Sequence, residues 1–193
     1  MSIDTTKANR EHGRFADHEE LWLFGYGSLI YKAGFDYIRR APATITGWQR
    51  RFWQGSHDHR GTPEAPGRVA TLVEAPGKTC QGMAYRITPA VFAHLDHREK
   101  NGYLRFSTPM RFADGLEEDG LVYIATADNA AWLGDASTEH IARQIQHSTG
   151  PSGPNRDYLL QLDDALHRLN ADDAHVSAIA KRLRVLIGEE APR

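Results

Sequence analysis

Cysteine is nearly missing from this chain of 193 residues. Cys80 stands alone, so no disulfide can form within the chain, and a disulfide-stapled secreted fold is excluded. Long apolar runs are missing as well. No segment approaches the length of a bilayer span, and residues 1–20 are polar, with acidic side chains where a signal peptide would be apolar. The expectation is a cytoplasmic protein with no membrane partner. There is no excess of basic residues: 23 Lys and Arg stand against 25 Asp and Glu, for a net charge of −2. Basic residues are scattered, and the adjacent pair Arg50-Arg51 sits inside an aromatic run, so nothing favours a nucleic-acid partner over a small molecule. No internal repeat and no Pro/Gly/Ser-rich linker divides the sequence, which predicts one domain over residues 20–190. Residues 1–19 hold only Ile3 and Phe15 as bulky apolar side chains and read as a mobile tail.

What is present begins with strands. Runs at residues 21–26, 44–53, 69–74, 80–87, 104–112 and 121–126 are rich in β-branched and aromatic side chains and are separated by Gly, Pro and Asp turns. Cys80 opens one of them and reads as a small core residue, not a nucleophile. Thr88-Pro89 marks a helix start, with Phe92 and Leu95 facing inward and an end near Glu99 or Asn101-Gly102. Ser137 caps a helix from Thr138 to about His147, stopped by Gly150-Pro151. Tyr158, Leu159, Leu162, Leu166 and Leu169 then share one helical face, as do Val176, Ile179, Ala180, Leu183, Leu186 and Ile187. Strands first and helices later make an α+β fold whose glycine-punctuated strands can curl into a barrel.

Four segments could carry chemistry. In Phe24-Gly25-Tyr26-Gly27-Ser28-Leu29-Ile30-Tyr31 an apolar strand runs into a bare-backbone loop. Glycines flanking Tyr26 allow positive φ and expose amide N–H groups to a carboxylate or an oxyanion, although a plain turn fits the same residues. Ile30 occupies the place of the third glycine of a dinucleotide fingerprint, and Ser28 lacks the spacing of a nucleophile elbow. Asp96-His97-Arg98-Glu99-Lys100-Asn101-Gly102-Tyr103 is either a solvated helix end or the source of a catalytic carboxylate. In the third segment, 48–61, strand alternation sets Arg51 and Trp53 on one face and Arg50 and Phe52 on the other; one face could accept a substrate carboxylate, or the aromatics could simply pack. The fourth, 151–158, reads as an interhelical turn with Asn155 as N-cap. Ten histidines raise the question of a metal, but His57-Asp58-His59 and His94-x-x-His97 match no recognised ligand spacing, so no metal is expected.

The first three segments, with Pro66-Gly67-Arg68-Val69, Thr71-Leu72-Val73-Glu74 and Gly150-Pro151-Ser152-Gly153, occur together in one order. In that order, over residues 21–170, the chain resembles the ChaC-like, glutathione-specific γ-glutamylcyclotransferases. The resemblance implies a γ-glutamylcyclotransferase-like fold, a mixed β-barrel with surrounding helices. It implies conversion of glutathione to 5-oxoproline and cysteinylglycine, with Tyr26, Gly27, Ser28, Leu29, Ile30 and Tyr31 as the substrate loop and Glu99 as catalytic acid/base. Two positions depart from the family pattern: Asn101 stands for a glycine and Tyr31 for a tryptophan.

That chemistry needs neither metal nor cofactor. The amine and the carbonyl it attacks belong to one molecule, so the protein has only to enforce the reactive conformer. One carboxylate, Glu99, can take the ammonium proton and return it to the departing nitrogen, provided its pKa is raised toward neutrality. Amides of the Gly27–Leu29 loop would hold the oxyanion, and Arg51 is the arginine assigned to a substrate carboxylate. The expected partner is glutathione alone, with the chain a monomer or weak homodimer. Two alternatives remain at this level: a cyclotransferase for other γ-glutamyl amines or γ-glutamyl amino acids, and a non-catalytic regulatory module of the same fold.

Overall fold

Strand-forming runs occupy the first two-thirds of the chain in the computed structural model, which describes residues 5–11, 19–98 and 102–188. The five long-range-paired strands are β1 (Leu21–Gly25), β2 (Arg39–Ser56), β3 (Gly67–Ile87), β4 (Tyr103–Phe112) and β5 (Glu117–Ala125), and Thr149–Gly150 pairs separately with Gly153–Pro154. The five close into a barrel in the order β1-β3-β2-β4-β5. Closure comes from β1, which pairs antiparallel with β3 (Leu23 opposite Tyr85) and parallel with β5 (Leu23 opposite Leu121). A strand paired on both sides has no free edge, and all five residues of β1 are buried.

Two expectations change here. The runs at 69–74 and 80–87 are one strand of 21 residues. Pro76 and Gly77, which the sequence suggests as a turn, lie within its exposed stretch, where proline is tolerated and Gly77 takes φ of 78°, a value open to glycine. Within the stretch read as a tail, Thr6–Glu11 forms a short helix, α1. Its buried Asn9 explains the ordering: the side-chain amide donates to the Tyr103 carbonyl at 3.0 Å, and its oxygen accepts from the Arg105 amide at 3.0 Å. One polar side chain thereby extends the ladder of β4.

By contacts the chain forms two compact units, Met1–Gln49 with Leu72–Ala130, and Arg50–Thr71 with Ala131–Arg193. In the first, Trp22, Phe24, Ile45, Tyr85, Met110, Leu121 and Ile124 are fully buried. Helix α2 (Phe92–Arg98), entered through Pro89 as expected, buries Phe92 and Leu95. Thr88 stands at the cap position but makes no side-chain capping bond.

The second unit contains α3 (Thr138–His147), α4 (Asn155–Arg168) and α5 (Ala174–Ile187), packed on one another. Ser137 caps α3 by accepting from the His140 amide, and Asp173 caps α5 in the same way from Val176. The apolar stripes meet: Ile141, Ile145, Leu159, Leu162, Leu166, Val176, Ile179 and Leu183 are all buried. Leu169 differs from its expected place, because it follows the last turn of α4 as its C-cap.

Candidate active site

The loop that leaves β1 is pinned at three points. Tyr26 is buried, and its hydroxyl donates to the Tyr123 carbonyl of β5 at 2.7 Å. Ser28–Ile30 makes one turn of 3₁₀ helix, in which the Ile30 amide donates to the Gly27 carbonyl at 3.0 Å and Tyr31 to Ser28 at 3.2 Å. The Tyr85 hydroxyl, from β3, donates to the Leu29 carbonyl at 2.5 Å. Burial pushes the Tyr85 phenol up, against the opposing pull of Arg40, so it remains a donor. The glycines act differently from the expectation of positive φ. Gly27 has φ −118° and ψ −129°, while Gly25 is needed for space: a Cβ there would lie 2.5 Å from the Leu29 Cβ. The loop can fold back on its own strand only because Gly25 is bare. Among the described residues the Gly27 and Leu29 amides have no acceptor. Two main-chain donors in a rigid turn are what an oxyanion or a carboxylate requires.

Helix α2 carries Asp96, His97 and Arg98 of the second expected segment. Its buried Asp96 receives both Nε and Nη2 of Arg105 and the Tyr123 hydroxyl, the last at 2.7 Å. Burial, with the bond to Asp96, raises the Tyr123 phenol above its ordinary pKa and keeps it protonated. Glu99, with Lys100 and Asn101, lies outside the described residues.

Arg51 belongs to the second unit. Alternation along β2 is as expected: Arg50 and Phe52 are buried, and Arg51 and Trp53 are half-buried. Arg50 is committed to Asp173, whereas Arg51 donates to the Arg50 carbonyl. Beside them His175 accepts the Phe52 amide on Nε2 at 3.0 Å. Burial, aided by Arg51, pushes this imidazole down to about 4, so it is neutral at physiological pH. Between pH 6.5 and 4 the unfolded chain therefore binds the proton more strongly, and the folded form loses stability as pH falls through that window. The expected loss is roughly 1–2 kcal/mol after screening at a half-buried ring. Denaturant midpoints measured from pH 7 to 4 check it, since His175→Gln should flatten the dependence.

The structure thus gathers Tyr26, Gly27, Ser28, Leu29, Ile30 and Tyr31 into one braced turn. It also shows residues that the pattern of the sequence does not mark. Tyr85 and Tyr123 are members of ordinary strand alternation, and only the fold reveals that their hydroxyls reach the loop and α2. Asn155 is not the cap of α4 but its first residue; its oxygen accepts from the Arg68 amide at 2.7 Å and its nitrogen donates to the Arg68 carbonyl at 2.9 Å. Among the described residues no group of three His, Cys, Asp or Glu gathers as a metal site, and no helix is long and apolar enough to cross a membrane.

Residues 21–186 match the family model described as ChaC-like protein. Among curated proteins, the chain is 44% identical over 181 residues to γ-glutamylcyclotransferase 2-3 of Arabidopsis thaliana, covering 88% of this chain and 91% of that one. It is 40% identical over 183 residues to glutathione-specific γ-glutamylcyclotransferase 1 of Danio rerio, covering 89% and 93%. Among solved structures, the crystal structure of a γ-glutamyl cyclotransferase specific to glutathione from yeast superposes with a TM-score of 0.80 at 31% identity, covering 87% of this chain and 97% of that one.

Proposed function

Because the chain belongs to the ChaC-like protein family, we propose that it is a γ-glutamylcyclotransferase that degrades glutathione, releasing 5-oxoproline and cysteinylglycine. The observation that carries this reading is the braced turn after β1, with its two main-chain donors at Gly27 and Leu29. Such a turn suits a reaction whose transition state places negative charge on an amide oxygen.

The steps follow from the substrate. Glu99 takes a proton from the α-ammonium of the γ-glutamyl group. The freed amine attacks the γ-carbonyl carbon, forming a C–N bond in a five-membered ring and a tetrahedral oxyanion, which accepts the Gly27 and Leu29 amides. The ring nitrogen, still carrying two hydrogens after attack, loses one to solvent; collapse then breaks the bond to the cysteinyl nitrogen, and Glu99 returns its proton to that leaving group, which departs as the amine of cysteinylglycine. Tyr26 and Tyr31 frame the loop, Ser28 and Ile30 shape its turn, and Arg51 is assigned to a substrate carboxylate. Neither Cys80 nor Ser28 acts as a nucleophile. The setting is the cytoplasm, where glutathione keeps thiols reduced, and the working form is a monomer or weak homodimer.

Mass spectrometry of the products tests the proposal. Glutathione should yield 5-oxoproline in excess chelator, because a carboxylate and main-chain donors suffice. Glutathione acetylated on its α-amine should survive intact, having lost the attacking group. Release of cysteinylglycine from the acetylated compound would instead identify a hydrolase, and faster release of 5-oxoproline from γ-glutamylalanine would move the specificity away from glutathione. Tyr85→Phe removes the donor at the Leu29 carbonyl and should raise KM roughly three- to tenfold, the equivalent of one hydrogen bond.

A further inference from the structure

We propose that Phe35 and Tyr37 are positioning residues for the substrate turn, acting through Tyr85, whose ring both of them touch in edge-to-face contact; this rests on the functional reading above. Burial does not explain the two aromatics. Phe35 is only half-buried, Asp36 is exposed, and Tyr37 and Ile38 keep 42% and 55% of their surface in solvent. Side chains that add so little to the core nevertheless converge on one ring. Phe35 meets Tyr85 with centroids 5.4 Å apart at an interplanar angle of 77°, and Tyr37 meets it at 5.1 Å and 67°. Edge-to-face contacts are directional, so they fix the attitude of the ring as well as its place.

The backbone brings them there. The Lys32 amide donates to the Ser28 carbonyl at 2.8 Å, Gly34 takes φ of 72°, a left-handed value that suits a glycine, and the Ile38 amide donates to the Arg86 carbonyl at 2.8 Å. The loop thus leaves β1 just past Leu23, which lies opposite Tyr85, and returns to β3 at the neighbouring Arg86. Tyr85 turns ring placement into loop placement. It is fully buried, its hydroxyl donates to the Leu29 carbonyl at 2.5 Å, and the Arg40 guanidinium bonds the same phenol. Rotation about the ring axis leaves a phenol oxygen where it is, but a change of χ1 carries it away from its acceptor, and contacts at the ring oppose that change. Leu29 carries both the braced carbonyl and one of the two amides assigned to the oxyanion, so a looser Tyr85 means a looser donor.

A double-mutant cycle on KM for 5-oxoproline release from glutathione tests this, with thermal unfolding of the same samples. Phe35→Leu and Tyr37→Leu keep apolar bulk but remove the ring, and each should raise KM about two- to fivefold, less than Tyr85→Phe does. Combined with Tyr85→Phe, which has already lost the bond to Leu29, either substitution should add less than about 1.5-fold, because residues acting on one bond are not additive. A merely structural role would add its full effect in both backgrounds. Tyr37→Phe keeps the ring and should hold KM within about 1.5-fold of wild type. Wild-type KM in Tyr85→Phe or in both Leu variants, effects that multiply with that of Tyr85→Phe, or a Tyr37→Phe variant as impaired as Tyr37→Leu would each overturn the assignment. If Phe35→Leu does not fold, Tyr37→Leu, at an exposed position, decides alone. A wild-type chain that releases no 5-oxoproline overturns the functional reading and the positioning role with it; an active wild type whose variants fail the cycle overturns the positioning role only.

Discussion

Glu99→Gln should lower turnover by ~10²–10⁴-fold, the contribution of a positioned general base. The amide keeps the size and polarity of the carboxylate but cannot accept the ammonium proton, so the loss should fall on kcat with substrate binding largely preserved. The unfolding midpoint should stay level, since the change removes no apolar surface. Steady-state turnover and thermal unfolding on the same preparation check both statements. A folded Gln variant with wild-type turnover would remove Glu99 from the mechanism, and Glu74 would be the next carboxylate to substitute.

Asn155→Ala should be the most destabilising single change in the second unit, at about 2–5 kcal/mol. Its side chain satisfies both main-chain groups of Arg68 in a fully buried setting, and a buried donor or acceptor left alone costs about 1–3 kcal/mol. The Arg68 side chain shares the consequence. It donates to the Phe52 and Gly134 carbonyls and to Gln144, so any shift of the Arg68 backbone moves four elements of that unit together. Asn155→Asp separates this role from capping. A helix cap tolerates Asp as well as Asn, whereas here Asp can accept from the Arg68 amide but has no hydrogen to give the carbonyl. Urea titration of the two variants should therefore show both to be destabilised. A wild-type midpoint for Asn155→Asp would mean that the double bond to Arg68 contributes little.

Elements governed by local chemistry were legible in the sequence. Ser137 as the cap of α3, Pro89 as a helix entry and the apolar faces of α4 and α5 each depend on neighbours within a few residues, and periodicity reads them directly. The braced turn after β1 was legible as a bare-backbone loop, but the use of Gly25 was not, because a close approach by Leu29 is a matter of three-dimensional space. The bonds made by Asn9, Asn155, Tyr85 and Tyr123 escaped notice for one shared reason. Each acts on main-chain or side-chain atoms between 27 and 96 positions away, and a single polar residue carries no periodic signal. The Pro76-Gly77 pair misled in the opposite direction, since residues that commonly end strands here lie within one.

The way the two units are threaded has a consequence for synthesis of the chain. Each is made of two stretches separated in sequence, so neither is complete when its first stretch leaves the ribosome. The first unit can assemble once residue 130 has emerged, but residues 50–71 must then wait for helices α3, α4 and α5. During that interval a nascent chain displays the strand segments 50–56 and 67–71 without the helical partners of their own unit, a state open to aggregation and to chaperones. A chain cut after residue 130 would stay in that state permanently, and should be recovered as insoluble protein or not at all.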